Sequence, residues 1–248
     1  MRTANPALTE KTFTQLSGST TNPMTLSGTV QKSFALLALT VASASYSWTS
    51  TYPAGWSEMS APSIPAWYFP GIIATLILSF VIIFKKATAP YLAPLYALGE
   101  GLLLGTISAI FDYKYPGIAF QAVLCTMGTF LGLLLAYQSR IIKATENFKL
   151  GIAAATMGVF LVYMIDFVMN FFGRNVPYLH ENGTMGIIVS AVIVVIAALN
   201  LVLDFDFIEK GVEQRAPKYM EWYAAFGLLV TLVWLYLEIL RLLGKSRK

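Results

Sequence analysis

Residues 185–203 read MGIIVSAVIVVIAALNLVL, nineteen positions with one hydroxyl, one amide and no charge. A helix needs about 20 such residues to cross the hydrocarbon of a bilayer. Six further apolar runs of similar length flank this one, at residues 29–48, 67–84, 91–111, 117–138, 150–172 and 219–243. None shows the short alternation of a transmembrane barrel strand, and a helix satisfies its own backbone in lipid. The pattern therefore predicts an all-α polytopic membrane protein with seven transmembrane helices. Composition agrees. Of 248 residues 56% are apolar and 12% charged, against roughly 25% charged in a soluble domain, and the mean hydropathy is +0.64. A soluble enzyme, a disordered regulator and a nucleic-acid module are excluded on that ground. The single Cys125 gives no disulfide framework and no thiolate metal site.

Three segments follow: a flexible polar tail over residues 1–28, rich in Ser, Thr and Asn, a seven-helix domain over 29–243, and a basic tail over 244–248. The first span is the weakest, opening on Gln31 and Lys32 and ending in Ser and Thr. The spacings Gly101–Gly105 and Gly128–Gly132 are small-xxx-small patterns that let membrane helices approach closely.

Orientation follows from Lys and Arg. With a cytoplasmic N-terminus, that side receives Arg2, Lys11, Lys32, Lys85, Lys86, Arg140, Lys143, Lys149, Lys210, Arg215 and Lys218. Apart from the C-terminal end, the opposite side receives Lys114 and Arg174. Eleven against two sets the N-terminus inside. Seven crossings then leave Arg241, Lys245, Arg247 and Lys248 outside, against the rule.

Acids at membrane depth are expensive and mark function. Here they are Glu100, Asp166, Asp204, Asp206, Glu221 and Glu238. Asp204 precedes, and Glu221 follows, the short connection between the last two spans, which predicts similar heights near the cytoplasmic side. Two carboxylates meeting in a dry seam share a proton and titrate together. Asn200, one turn before Asp204, is placed to hydrogen-bond either acid, and Lys85 or Lys86 to latch the ionised state. The plainer alternatives are capping acids in the headgroup zone for Asp204 and Asp206, and an interfacial acid for Glu221. Glu100 has Tyr96 one turn earlier as a hydrogen-bond partner. Tyr163, Asp166 and Asn170 form a polar stripe that lines a vestibule or staples helices. Glu238 lies about 25 Å along the helix from Glu221, with Arg241 at i+3 as its partner. His180, the only histidine, falls in an outer loop.

The stretch from Asn200 to Ile208, followed by that from Tyr219 to Phe226, resembles the paired signature of the Bax inhibitor family, the transmembrane Bax inhibitor motif proteins. Asp204 with Ile208 matches the first motif, with Leu203 in place of a tyrosine. Glu221 matches the second acid, with Glu for Asp and Trp222 for Phe. Glu100 with Gly101, the Lys85–Lys86 pair, and Asn5 to Leu8 followed by Phe13 extend the likeness, the last toward the bacterial YccA-like branch. The resemblance implies six helices around a central seventh, and a pH-sensitive calcium leak controlled by the paired acids. Asp204 and Glu221 are then the proton-sensing pair, Asn200, Asp206 and Glu100 its polar support, and Lys85 or Lys86 the latch.

The first expectation for function is thus a pH-gated cation leak, with calcium held only transiently at Asp204 and Glu221, since tight calcium binding takes six to eight oxygens. The second is a non-conducting regulator that binds other membrane proteins, such as a quality-control protease. An enzyme is not expected, because the hydrolase signatures His-Glu-x-x-His, Gly-x-Ser-x-Gly and Gly-x-Gly-Asp are absent. No cofactor, no tight metal site and no nucleic-acid partner are expected. The setting is an integral position in a bilayer, a bacterial plasma membrane with the N-terminus cytoplasmic.

Overall fold

The computed structural model describes residues 22–52, 61–174, 176, 177, 179, 181 and 183–247. Most of the tail predicted over residues 1–28, as well as His180, lies outside them. Among the described residues seven α-helices follow in order: α1 Leu26–Thr51, α2 Tyr68–Phe84, α3 Ala89–Lys114, α4 Ile118–Gln138, α5 Glu146–Phe171, α6 Thr184–Glu213 and α7 Met220–Ser246. Each predicted span has its helix. Five (α3 to α7) are long and apolar enough to cross a bilayer, and α2 is a shorter apolar helix. The protein is all-helical and polytopic.

Helix ends carry ordinary signals. Thr25 caps α1, its hydroxyl accepting from the Gly28 N–H at 3.0 Å. Thr145 caps α5 in the same way, with Glu146 in the first turn complementing the helix dipole. Gly117 and Gly173 take positive φ where the chain turns after α3 and α5. Between α6 and α7 the reversal falls on Arg215, itself left-handed at φ 50.

Two compact units make up the chain. In the first, described over residues 22–52, 61–119 and 208–229, α1 packs on α3 through small polar residues. The Thr40 hydroxyl donates to the Ala97 carbonyl at 3.2 Å and Ser47 donates to the Leu102 carbonyl at 2.6 Å. The Ser47 and Thr106 hydroxyls lie 2.7 Å apart. A side chain at Gly101 would fall on the Ser43 hydroxyl and the Thr40 carbonyl, and one at Gly105 on the Ala44 carbonyl. The weak hydropathy of α1 thus has a cause. Its Ser and Thr residues line the face that the Gly101–Gly105 pattern allows to come close, where hydrogen bonds and packing supply the association that lipid cannot drive. Gly128 and Gly132 of α4 face open space instead, with nothing within 4 Å.

The second unit, described over residues 120–174, 176, 177, 179, 181, 183–207 and 230–247, contains α4, α5 and the larger parts of α6 and α7. Within their most apolar windows α4 and α5 are 22% and 11% buried, against 67% for α7. The first two therefore present their side chains outward and α7 is the most enclosed of the long apolar helices. Val159, Leu179 and Ile193 form a buried core cluster here, with Trp234 packed against it. Phe205 meets Phe130 and Tyr137 at ring separations of 5.7 and 5.8 Å.

Two boundaries differ from expectation. Helix α6 runs ten residues past the apolar stretch, to Glu213, so Asp204 stands mid-helix rather than near an end. Helix α7 continues through Ser246, so most of the predicted basic tail is helical and Lys245 is buried.

Candidate functional site

The first polar centre belongs to the α1–α3 unit. Glu221, in the first turn of α7, is 0% exposed. Its Oε1 accepts from the Thr25 N–H at 2.9 Å and the Thr25 hydroxyl at 2.8 Å. Lys218 pairs with the same oxygen at 2.8 Å, and Lys32 of α1 pairs with Oε2. A Cβ at Gly28 would strike this carboxylate, so glycine there lets α1 lie directly on the acid. The segment before α1 is tied in as well: the Met24 N–H donates to the Ala216 carbonyl at 2.6 Å, and Pro23 bridges to Pro217. The cations on Glu221 are therefore Lys32 and Lys218, in place of the expected Lys85 or Lys86. Lys85 is exposed, and Lys86 lies over the Tyr223 ring, 5.6 Å from its centroid. Glu100, half-buried on α3, faces the Tyr96 hydroxyl as expected.

The second centre belongs to the α4–α5 unit. Asp204 is 1% exposed, and neither carboxyl oxygen has a hydrogen-bond partner among the described residues. The Thr231 hydroxyl of α7 faces it without reaching hydrogen-bonding geometry. Asn200 does not serve either acid: its amide donates to the Thr156 hydroxyl and the Ile196 carbonyl, both at 2.8 Å. Asp206 turns away to Lys149 of α5 at 2.7 Å, a buried lysine that also reaches Glu146 at 3.4 Å. Leaving an ionised carboxylate without donors at this burial costs several kcal/mol. Negative charge on Asp204 therefore calls for a compensating cation or for water beside it.

Farther along α7, Glu238 is also buried but fully served. The Tyr163 hydroxyl donates to it at 2.8 Å, Trp234 Nε1 at 3.2 Å, and Arg241 pairs with it at 2.9 Å. The predicted i+3 partner is the observed one. Of the polar stripe, Tyr163 joins the Glu238–Arg241 cluster, Asp166 accepts the Val176 N–H at 3.0 Å, and Asn170 is exposed.

The family model for Bax inhibitor 1 like proteins matches residues 5–248. The chain belongs to the Bax inhibitor 1-like family. No curated protein and no solved structure matches it. In this family member the two acids differ in setting: Glu221 is saturated with donors, and Asp204 accepts no hydrogen bond among the described residues. Lys32 and Thr25 were missed as partners of Glu221 because nothing local in sequence links them to position 221. Only the cluster of Lys218 at i−3 from Glu221 was open to view. Among the described residues no group of three or more His, Cys, Asp or Glu side chains is arranged to hold a metal ion.

Proposed function

We propose that this Bax inhibitor 1-like protein is a pH-sensitive cation leak channel, with calcium as its cation, in a bacterial plasma membrane of the YccA-like type with the N-terminus cytoplasmic. Asp204 and Glu221 are its two proton-responsive acids, with unequal parts. Asp204 is the buried acid that no hydrogen bond serves among the described residues, and this carries the reading. A cation passing its carboxylate supplies the missing countercharge, and a proton removes the attraction. Glu221 acts as the lock, since its charge holds α1, the segment before it and the α6–α7 turn together through Thr25, Lys32 and Lys218. Weak, transient coordination of this kind suits conduction better than storage. The lipid bilayer is the only standing partner this requires. It requires no cofactor and no enzymatic step.

The test is calcium flux into dye-loaded liposomes carrying the purified full chain. Flux that varies with pH, and loses that variation in Asp204→Asn, supports the channel. Absence of flux at every pH overturns it in favour of a non-conducting regulator of other membrane proteins.

A further inference from the structure

The outer half of α7 carries a polar stripe that leak gating by Asp204 and Glu221 does not use. Thr231, Trp234, Glu238, Arg241 and Lys245 recur at alternating spacings of three and four, and so share one helix face. The stripe runs along α6 in antiparallel register. Thr231 faces Asp204, and fourteen residues on, Lys245 bonds Ser190, which lies fourteen residues before Asp204. The two ends are about 21 Å apart at 1.5 Å per residue. Among the described residues, one end holds a buried carboxylate with no hydrogen bond, and the other a buried ammonium with no carboxylate partner.

Among the described residues the ammonium is held by neutral oxygens alone. Lys245 Nζ donates to the Leu179 carbonyl at 2.8 Å, the Gly186 carbonyl at 3.2 Å and the Ser190 hydroxyl at 2.7 Å. Those three acceptors match the three N–H donors of a primary ammonium. Its residue is 6% exposed. The nearest acid on its own helix, Glu238, is already paired with Arg241. Two carbonyls and a hydroxyl form the kind of oxygen set that replaces the hydration shell of a weakly hydrated monovalent cation. Without a carboxylate the set is a poor match for calcium.

We infer that the Leu179, Gly186 and Ser190 oxygens form a monovalent-cation site at the outer end of the α6–α7 seam, and that Lys245 occupies it as a tethered cation. A mobile monovalent cation competes with Lys245 for these oxygens. While Lys245 is seated, its fixed positive charge opposes entry of divalent ions from that end. Only this last consequence rests on the leak reading.

The competition is read on the wild-type chain in micelles with an amine-reactive reagent and site-by-site mass spectrometry. Potassium replaces choline at constant ionic strength. Labelling of Lys245 is expected to rise about threefold with potassium by mass action, while the exposed Lys85 labels equally in both salts. Equal labelling of Lys245 in the two salts overturns the inference. In Lys245→Met the vacated oxygens are expected to bind the free ion, so potassium raises the unfolding temperature of that variant above its value in choline and leaves the wild type unchanged. An identical unfolding temperature in both salts overturns it too. Neither readout needs conduction. A protein that passes no calcium but shows both potassium effects sinks the leak reading and leaves this site standing.

Discussion

Glu221 and Asp204 are both enclosed carboxylates, 0% and 1% exposed, and only one of them is satisfied. Their positions on the helices explain the contrast. Glu221 stands in the first turn of α7, where the chain has just reversed and the segment before α1 lies alongside. A free backbone N–H, a hydroxyl and two lysines are all within reach there. Asp204 stands mid-helix in α6, where backbone N–H groups are spent on the helix itself and only side chains can donate. The neighbouring side chains with donors are committed elsewhere, Asn200 to Thr156 and Lys149 to Asp206. Equal burial therefore says little about an acid's role, and the supply of donors says much more.

The sharpest way to break this comparison is to remove each acid in turn. Glu221→Ala leaves two lysines and the Thr25 donors facing a void, and should lower stability by about 3 kcal/mol, seen in unfolding of the purified chain in micelles. A loss below 1 kcal/mol would mean that the lock holds nothing. Next in size is Gly101→Ala, whose new methyl meets the Thr40 carbonyl and the Ser43 hydroxyl. It should cost roughly 2 kcal/mol, whereas Gly128→Ala, with open space around it, should be neutral or gain up to about 1 kcal/mol from helix propensity. Equal effects at the two glycines would contradict the close α1–α3 approach. Arg241→Met leaves Glu238 with Tyr163 and Trp234 as donors, and should cost about 1 kcal/mol because the guanidinium is partly exposed. Asp204→Asn should have the smallest effect, within about 1 kcal/mol in either direction, because no hydrogen bond is lost. A large destabilisation there would reveal a partner.

Much of the fold was legible from the chain, for physical reasons that also mark the limits. Apolar runs report span positions because lipid penalises each polar residue separately, and all seven recur as helices. The ends of α6 and α7 were missed because a helix continues beyond the hydrocarbon as long as nothing breaks it, and no Gly or Pro stops α6 before residue 211. The Glu238–Arg241 pair was predictable because both residues sit on one helix. The Lys32–Glu221 and Lys149–Asp206 pairs were not, since they join residues 189 and 57 positions apart through packing that no local spacing encodes. Of the two glycine patterns, only Gly101–Gly105 meets a neighbour. The deciding difference is the Ser and Thr face of α1 against it, a property of another helix.

Carbodiimide labelling tests the central claim most directly, because a hydrophobic carbodiimide attacks membrane-buried carboxyl groups that no cation or donor shields. Applied to the purified chain and followed by peptide mapping, it should modify Asp204 and spare Glu221, and calcium should protect Asp204. Modification of Glu221 in preference to Asp204, or labelling of Asp204 that calcium does not slow, would contradict the account.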